Sequence, residues 1–221
     1  MEYKFNPYES KEHMKCERRI LKVNGKGMVE AEPDMVLVSV GVITKDKDPE
    51  NAQNLNEEIS KKLINSLLHL GIAKEDIKTS SYTIYPEYDY IEGKQILTGY
   101  SVAHILEIKV KDIGMAGEVI NTAVKNGANQ INKVDFTLED AKYHYNRALK
   151  LAVKEAASKA QSITAVMKVN FDSIPCSITE QSTSFTPLVE QSAMKLAATT
   201  TVMPGEIEII ATIEATFQYW A

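Results

Sequence analysis

The recurrence of apolar side chains at every second position is the feature that most limits the folds open to this chain. Between Met35 and Thr44 every second residue is valine, and between Glu206 and Tyr219 isoleucine, alanine and phenylalanine alternate with residues that are polar except for Ile210. A period of two places alternate side chains on opposite faces of a β-strand. Both segments are therefore predicted strands with one buried face. A doubly wound parallel sheet is disfavoured, because its strands are apolar on both faces.

Other segments show a similar pattern. Leu21, Val23 and Val29 share one face of a first predicted strand, and Glu32-Pro33-Asp34 is typical of a turn. We therefore expect this strand and the one that starts at Met35 to form a hairpin. Further extended segments are predicted at residues 77–90, 97–110, 134–138, 171–180 and 206–219.

Three helices are predicted between these strands. Asp48-Pro49-Glu50 is typical of a helix start, and Gly71 is a suitable left-handed cap after apolar residues at helical spacing. A second helix opens at Asp112, and a third, with five spaced alanines on one side, runs from Glu139 to about residue 167. The fold class is α+β: an antiparallel or mixed β-sheet (or sheets) with three α-helices packed on one face, in the order β-β-α-β-β-α-β-α-β-β.

The domain organisation follows from composition. Residues 1–18 are polar and charged and are predicted to be a mobile N-terminal tail, whereas residues 19–221 form one α+β domain. Residues 181–203 interrupt that domain as a long loop or a partly helical excursion. This segment has only two charged residues, and an exposed apolar stretch commonly marks an interface. Its candidate interface residues are Phe185, Leu188, Val189 and Met194.

Net charge and the lack of recognisable targeting signals limit the classes of partner and the cellular location that we expect. The formal net charge is −5 and Lys and Arg are not clustered, so a nucleic-acid partner is disfavoured. No apolar run is long enough for a membrane span, and the first residues lack the apolar core of a signal peptide. Cys16 and Cys176 are best interpreted as reduced thiols. A cytoplasmic location is the resulting expectation.

Motifs for catalysis, cofactors or metals are not recognised, so no residue is assigned to any of these roles. Gly25-Lys26-Gly27 begins like a dinucleotide fingerprint, but Glu30 stands in place of the third glycine and no helix follows. A strand bulge or close backbone approach explains these glycines better. His104 shares the apolar face of its strand and is interpreted as a hydrogen-bonded core residue. The chain is predicted not to be an enzyme.

Tyrosines are concentrated around Pro86. They suit an aromatic contact surface, although interleaved Glu87 and Asp89 would repel phosphates and so disfavour nucleic acid. Edge-strand packing or a subunit contact is the better interpretation. The candidate interface residues here are Tyr82, Tyr85, Tyr88 and Tyr90.

The order and spacing of several short motifs resemble those of the SIMPL-domain family, which includes periplasmic immunogenic and oxidative-stress-defence-like bacterial proteins. The resemblance implies an α+β fold, self-assembly into rings or larger closed assemblies in some members, a link with oxidative stress, and no established catalytic activity or cofactor. The matching motifs are Val23-Asn24-Gly25-Lys26-Gly27, Glu32-Pro33-Asp34, Ala52-x-Asn54-x-Asn56, Gly71-Ile72, Glu75-Asp76-Ile77-x-Thr79, Ile84-x-Pro86-x-Tyr88, Gly99-Tyr100-x-Val102, Gly127 to Ile131, Phe136-x-Leu138-x-Asp140 and Pro204-Gly205-Glu206-Ile207.

Three functions remain open at this point. The first is a non-enzymatic, self-assembling structural or stress-protective bacterial protein that forms a ring or larger closed homo-oligomer, so that its partner is itself. The alternative is a binding module that captures another protein or a small molecule through the strand that carries Tyr82 and Tyr90. The third is an enzyme that uses His104 with a carboxylate.

Overall fold

The structure, a computed structural model, describes residues 19–91, 93–181 and 205–220. The predicted tail at residues 1–18 lies outside this range, and so do residues 182–203 of the predicted loop with Phe185, Leu188, Val189 and Met194. The chain divides into two compact units. Of the described residues, 19–30, 142–181 and 208–220 belong to the first unit and the others to the second.

The observed elements follow the predicted order with one additional short strand. The strands are β1 (Ile20–Ala31), β2 (Met35–Asp46), β3 (Ile77–Ile91), β4 (Lys94–Val110), β5 (Gln130–Thr137), β6 (Asn170–Phe171), β7 (Ser177–Glu180) and β8 (Ile207–Trp220). The α-helices are α1 (Pro49–His69), α2 (Ala116–Lys125) and α3 (Ala141–Met167). The predicted α+β fold class is confirmed.

The second unit is built on a sheet with the strand order β3-β4-β2-β5. The three pairings are antiparallel, and α1 and α2 both contact β2. The alternating valines of β2 are buried against these helices, as the sequence predicts. Burial of such side chains supplies most of the stability of a unit of this size. The core includes Val36, Val38, Val40, Val42, Leu63, Leu67, Leu106, Ile108 and Phe136.

The predicted hairpin between β1 and β2 is wrong. β1 pairs with β8 in the first unit, while β2 pairs with β4 and β5 in the second. The turn at Glu32-Pro33-Asp34 therefore carries the chain from one sheet to another. Its Asp34 carboxylate accepts the backbone N–H of Glu139 at 2.7 Å, which holds the turn close to the start of α3.

In the first unit β8 pairs with β1, β6 and β7, and α3 lies against β1. The contact is very close, because a Cβ atom at Gly27 would lie 1.8 Å from the carbonyl oxygen of Ala148. A Cβ atom at Gly25 would lie 2.0 Å from the carbonyl oxygen of Ala152. The two glycines and the buried alanines of α3 thus let strand and helix backbones touch. Of the two interpretations of Gly25 and Gly27, close backbone approach is confirmed.

The helix α1 begins as predicted but buries a different face. Asp48 accepts hydrogen bonds from the backbone N–H groups of Glu50 and Asn51 at 2.8 and 3.2 Å. Leu55, which the apolar spacing places inward, is 46% exposed. Asn56 and Ser60 are buried instead. The inner surface of α1 therefore has a polar segment, and this segment faces the strands that carry the candidate site.

Candidate functional site

The strands β3 and β4 extend beyond the rest of their sheet as a two-stranded arm. The last pair between β2 and β4 is Asp46 with Tyr100, whereas β3 and β4 remain paired from Glu87 with Gly99 to Ile91 with Lys94. We call residues 87–91 and 94–99 the arm. A two-stranded ribbon is marginally stable in water unless something packs against it. The contacts within this unit therefore give the arm little stability.

The arm and the adjoining part of β3 expose many large apolar side chains. Tyr90 is 75% exposed, and the predicted interface residues Tyr82, Tyr85 and Tyr88 are exposed as well. Exposed apolar clusters of this kind commonly mark interaction sites in proteins. The exposure of these four tyrosines is compatible with the predicted contact surface, whose role stays a prediction. The other exposed apolar residues of this surface are Ile84, Ile91, Ile96 and Leu97.

The outer edge of β3 is open along its backbone. Within the described chain β3 pairs with β4 alone, and no other group there bonds to its backbone between Lys78 and Pro86. The edge of β1 is treated differently. There the Glu155 carboxylate accepts the N–H of Lys26, and Lys159 donates to the carbonyl oxygen of Asn24 at 3.0 Å. An open edge readily pairs with another strand, and β3 is one of the two edges of its sheet.

A chain of hydrogen bonds connects α1 to β3 at the base of this surface. Asn56 donates from Nδ2 to the carbonyl oxygens of Val42 and Val102, at 2.8 and 3.1 Å, and so ties α1 to two strands. Ser60 donates to Oδ1 of Asn56 at 3.2 Å. His104 follows, with Nδ1 2.9 Å from Ser60 Oγ and Nε2 2.9 Å from Thr79 Oγ1.

The direction of this network fixes the tautomer of His104. Both amide hydrogens of Asn56 point at carbonyl oxygens, so its Oδ1 accepts from Ser60. The oxygen of Ser60 then accepts the Nδ1–H of His104, and Nε2 is left to accept the hydroxyl proton of Thr79. Burial lowers the pKa of His104, which favours this neutral form. The predicted hydrogen bonds of His104 are confirmed, but the ring is only partly buried and does not belong to the core. Its partners are hydroxyl groups rather than the carboxylate that the enzyme hypothesis requires.

Stability should depend on pH through His104. Because its pKa is lower in the folded than in the unfolded protein, the stability that the neutral ring contributes is complete above about pH 6.5 and is lost as pH falls through the folded pKa. We expect the free energy of unfolding of the wild type to fall between pH 7.5 and pH 5 by more than that of His104→Gln. Urea titrations at both pH values measure this, and parallel losses in the two proteins would contradict it.

Other chemistry is sparse in the described part of the chain. No group of three or more His, Cys, Asp or Glu side chains there is arranged to hold a metal ion. No helix within those residues is long and apolar enough to cross a bilayer. A shallow depression in the first unit is lined by Gln161, Thr164, Phe171 and Trp220, and has no acidic or basic side chain in its lining.

Cys176 is disulfide-bonded, so the expectation of a reduced thiol there is wrong; Cys16 lies outside the described residues.

Sequence reasoning did not identify Asn56 and Ser60 as part of the site. Both were passed over because apolar spacing was used to choose the inner face of α1. A usable signal was present, since Asn56 follows the buried Ala52 by one helical turn and Ser60 follows it by two. A polar pair in register with buried positions of a helix indicates a buried network.

Comparisons with known proteins agree with the predicted resemblance. The sequence model of the family described as "SIMPL: Protein of unknown function (DUF541)" matches residues 21–217. The 26 kDa periplasmic immunogenic protein of Brucella melitensis is 30% identical over 148 residues, which are 65% of this chain and 59% of that protein. The uncharacterized protein YggE of Escherichia coli K12 is 29% identical over 140 residues, which are 63% of this chain and 57% of YggE. The match thus spans less than two thirds of these relatives.

The expectation of a cytoplasmic location is contradicted by these comparisons. The Brucella relatives, from B. melitensis and from B. abortus, are both named as periplasmic proteins. The expectation depended on the composition of the first residues, which is a weaker indication than the names of similar proteins.

Proposed function

This chain belongs to the SIMPL family of proteins of unknown function, and from that premise we propose that it is a non-enzymatic building block. Its copies assemble with one another into a ring or larger closed homo-oligomer, with a structural role. The observation that carries the proposal is the exposed arm at the end of the open β3 edge. A periplasmic site of action is part of the proposal, supported by the names of the Brucella relatives and by the disulfide of Cys176.

The arm supports self-assembly for an energetic reason. Among the residues that the structure describes, no third strand lies beside its two strands, and Tyr88, Tyr90, Ile91, Ile96 and Leu97 remain exposed on it. Burying apolar area stabilises an association by about 25 cal/mol per Å² before the costs of association are subtracted. Tyrosine adds a large rigid contact area with little loss of side-chain entropy. A neighbouring copy that covers the arm would therefore stabilise both the contact and the ribbon itself.

The proposal predicts that charges on the arm will break the assembly. In a Tyr88→Lys/Tyr90→Lys variant the two side chains can no longer be buried without desolvating an ammonium group. We expect the wild type to sediment as a multi-subunit particle at micromolar concentration and this variant to sediment as a smaller species. Sedimentation velocity measures both masses, and circular dichroism checks that the variant is folded.

A matched control places the same charges elsewhere. Val166 and Ile174 are also strongly exposed, at 85% and 74%, and both lie in the first unit, away from the arm in sequence. Val166→Lys/Ile174→Lys should leave the particle mass unchanged. A wild type that is monomeric at these concentrations contradicts the proposal. If that monomer captures another protein, and loses it when the arm tyrosines are replaced, the binding-module hypothesis takes its place.

A further inference from the structure

The open edge of β3 carries unpaired charges of opposite sign near its two ends. Lys78 lies at the start of the strand and Asp89 lies in the arm, and neither forms an ion pair within the described chain. The nearby acid Glu87 is already paired with Lys45, and Asp76 is paired with Lys111. The free charges of this edge are therefore one cation and one anion, separated by eleven positions.

A β-bulge brings these two charges to the same face of the sheet. Lys78 pairs with Glu107 and Ser81 with Ile105, so Ser80 is an extra residue on β3. Without it, residues 78 and 89 would lie on opposite faces, because side chains alternate and the separation is odd. With Ser80 as the extra residue, Lys78, Ser81, Tyr85 and Asp89 all share the face of β3 that points away from the core valines of β2.

We infer that β3 pairs antiparallel with β3 of a second copy of this chain, around a twofold axis at Ile84. The inference rests on the proposed self-assembly and specifies its first contact. When the twofold axis is perpendicular to the sheet, the same face of both copies points to the same side. The four-stranded sheets of two second units then join into a single eight-stranded sheet. The opposed residues are Ile84 with Ile84, Thr83 with Tyr85, Tyr82 with Pro86, Ser81 with Glu87, Thr79 with Tyr88, and Lys78 with Asp89.

This register is the one that the charges and the bulge select together. Along the contact from Ile84 towards the start of β3, the extra residue Ser80 has no opposed partner. Beyond it, Thr79 lies opposite Tyr88 and Lys78 lies opposite Asp89. Each opposed pair then lies on one face, as a sheet requires. Two symmetry-related ion pairs form, one at each end of the contact. A slip by one residue would put Lys78 and Asp89 of the second copy on different faces.

The other edge of this sheet is a poorer partner. On β5, Lys133 already forms an ion pair with Asp135, so its charges compensate one another within the strand. Among the described residues, β5 therefore has no unpaired acid that could face Lys78 and no unpaired cation that could face Asp89. A second β3 supplies the required anion and cation in reverse order, which is what antiparallel pairing needs.

Charge reversal tests the register. Lys78→Glu places two acids together at both ends of the contact, and Asp89→Lys places two cations together there. Cross-strand charge pairs contribute about 0.2–1 kcal/mol each, so converting two attractive pairs to repulsive ones should weaken self-association by about tenfold or more in either variant. An equimolar mixture of the two variants restores both ion pairs in the mixed dimer. We therefore expect the mixture to associate at least as tightly as the wild type.

The outcomes separate this inference from the proposed function. Sedimentation velocity at low salt gives the dissociation constants, and Lys62→Glu, an exposed charge change on α1, is the matched control that should leave them unchanged. If both reversals associate like the wild type, or if mixing restores nothing, the register is wrong. In that case the Tyr88→Lys/Tyr90→Lys variant still decides the proposed function. A wild type that stays monomeric contradicts both the proposed function and the β3 pairing.

Discussion

Replacing Gly27 by alanine is expected to lower the free energy of unfolding by about 3 kcal/mol or more. The new Cβ atom would lie 1.8 Å from the carbonyl oxygen of Ala148 and 2.5 Å from the backbone nitrogen of Ala152. Both are backbone atoms of α3 and cannot rotate away as a side chain could. The strand and the helix would have to separate, which loses packing along the contact and reaches the upper range for overpacking. Urea denaturation followed by circular dichroism measures the loss.

Gly205→Ala is the matched control for this substitution. No atom lies within 4 Å of a Cβ atom at this position, so the free energy of unfolding should change by no more than about 0.5 kcal/mol. Gly25→Ala should behave like Gly27→Ala, since its Cβ atom would lie 2.0 Å from the carbonyl oxygen of Ala152. An unfolding midpoint for Gly27→Ala that equals that of the control would show that β1 and α3 are not in backbone contact.

Alternation predicted which side chains of the strands are buried, because it reports directly on the two faces of a strand. The valines of β2 and the apolar residues of β8 are buried as expected. Alternation carries no information on which strand lies alongside, and for this reason the hairpin between β1 and β2 was wrong. The strand beside β1 is β8. Gly25-Lys26-Gly27 indicated only the close approach of another element, which is the alanine side of α3.

The candidate site was predictable in its residue types but not in its geometry. The tyrosines around Pro86 are visible in the sequence as an unusual concentration. That they stand on an arm depends on where β2 stops pairing, at Asp46 with Tyr100, and this is set by the register of three strands. Register is determined by long-range contacts that no local pattern contains. The bulge at Ser80 is invisible for the same reason.

Asn56 shows a different limit of sequence reasoning. It belongs to the motif Ala52-x-Asn54-x-Asn56 that resembles the SIMPL family, yet nothing in the motif says why one asparagine is buried and the other exposed. The structure supplies the reason, since Asn56 bonds the carbonyl oxygens of both β2 and β4 whereas Asn54 lies on the exposed surface of α1. A buried polar residue has no periodic signature and is identified only through its partners.

Replacing Asn56 by aspartate is accordingly expected to lower the free energy of unfolding by about 3–5 kcal/mol at pH 7. The shape of the side chain is kept, but an ionised carboxylate cannot donate to the carbonyl oxygens of Val42 and Val102, and it would be buried at 0% exposure. Ser60 can still donate to it, so only the two bonds to the strands are lost. Thermal and urea unfolding at pH 7 measure the effect. Asn54→Asp, at an exposed position near the start of the same helix, should change stability by no more than about 0.5 kcal/mol.

The deficit of Asn56→Asp should shrink as the solution becomes more acidic. Burial beside two carbonyl oxygens raises the pKa of the new carboxyl above its unfolded value of about 3.9, so the folded protein binds a proton more readily than the unfolded chain. Stability relative to wild type therefore rises as pH falls through the folded pKa, because the protonated acid can donate one of the two lost bonds. Unfolding of both proteins at pH 7 and pH 4.5 tests this. A deficit that is constant across that range would mean that Asn56 is open to solvent, and the network from α1 to His104 and Thr79 would lose its anchor.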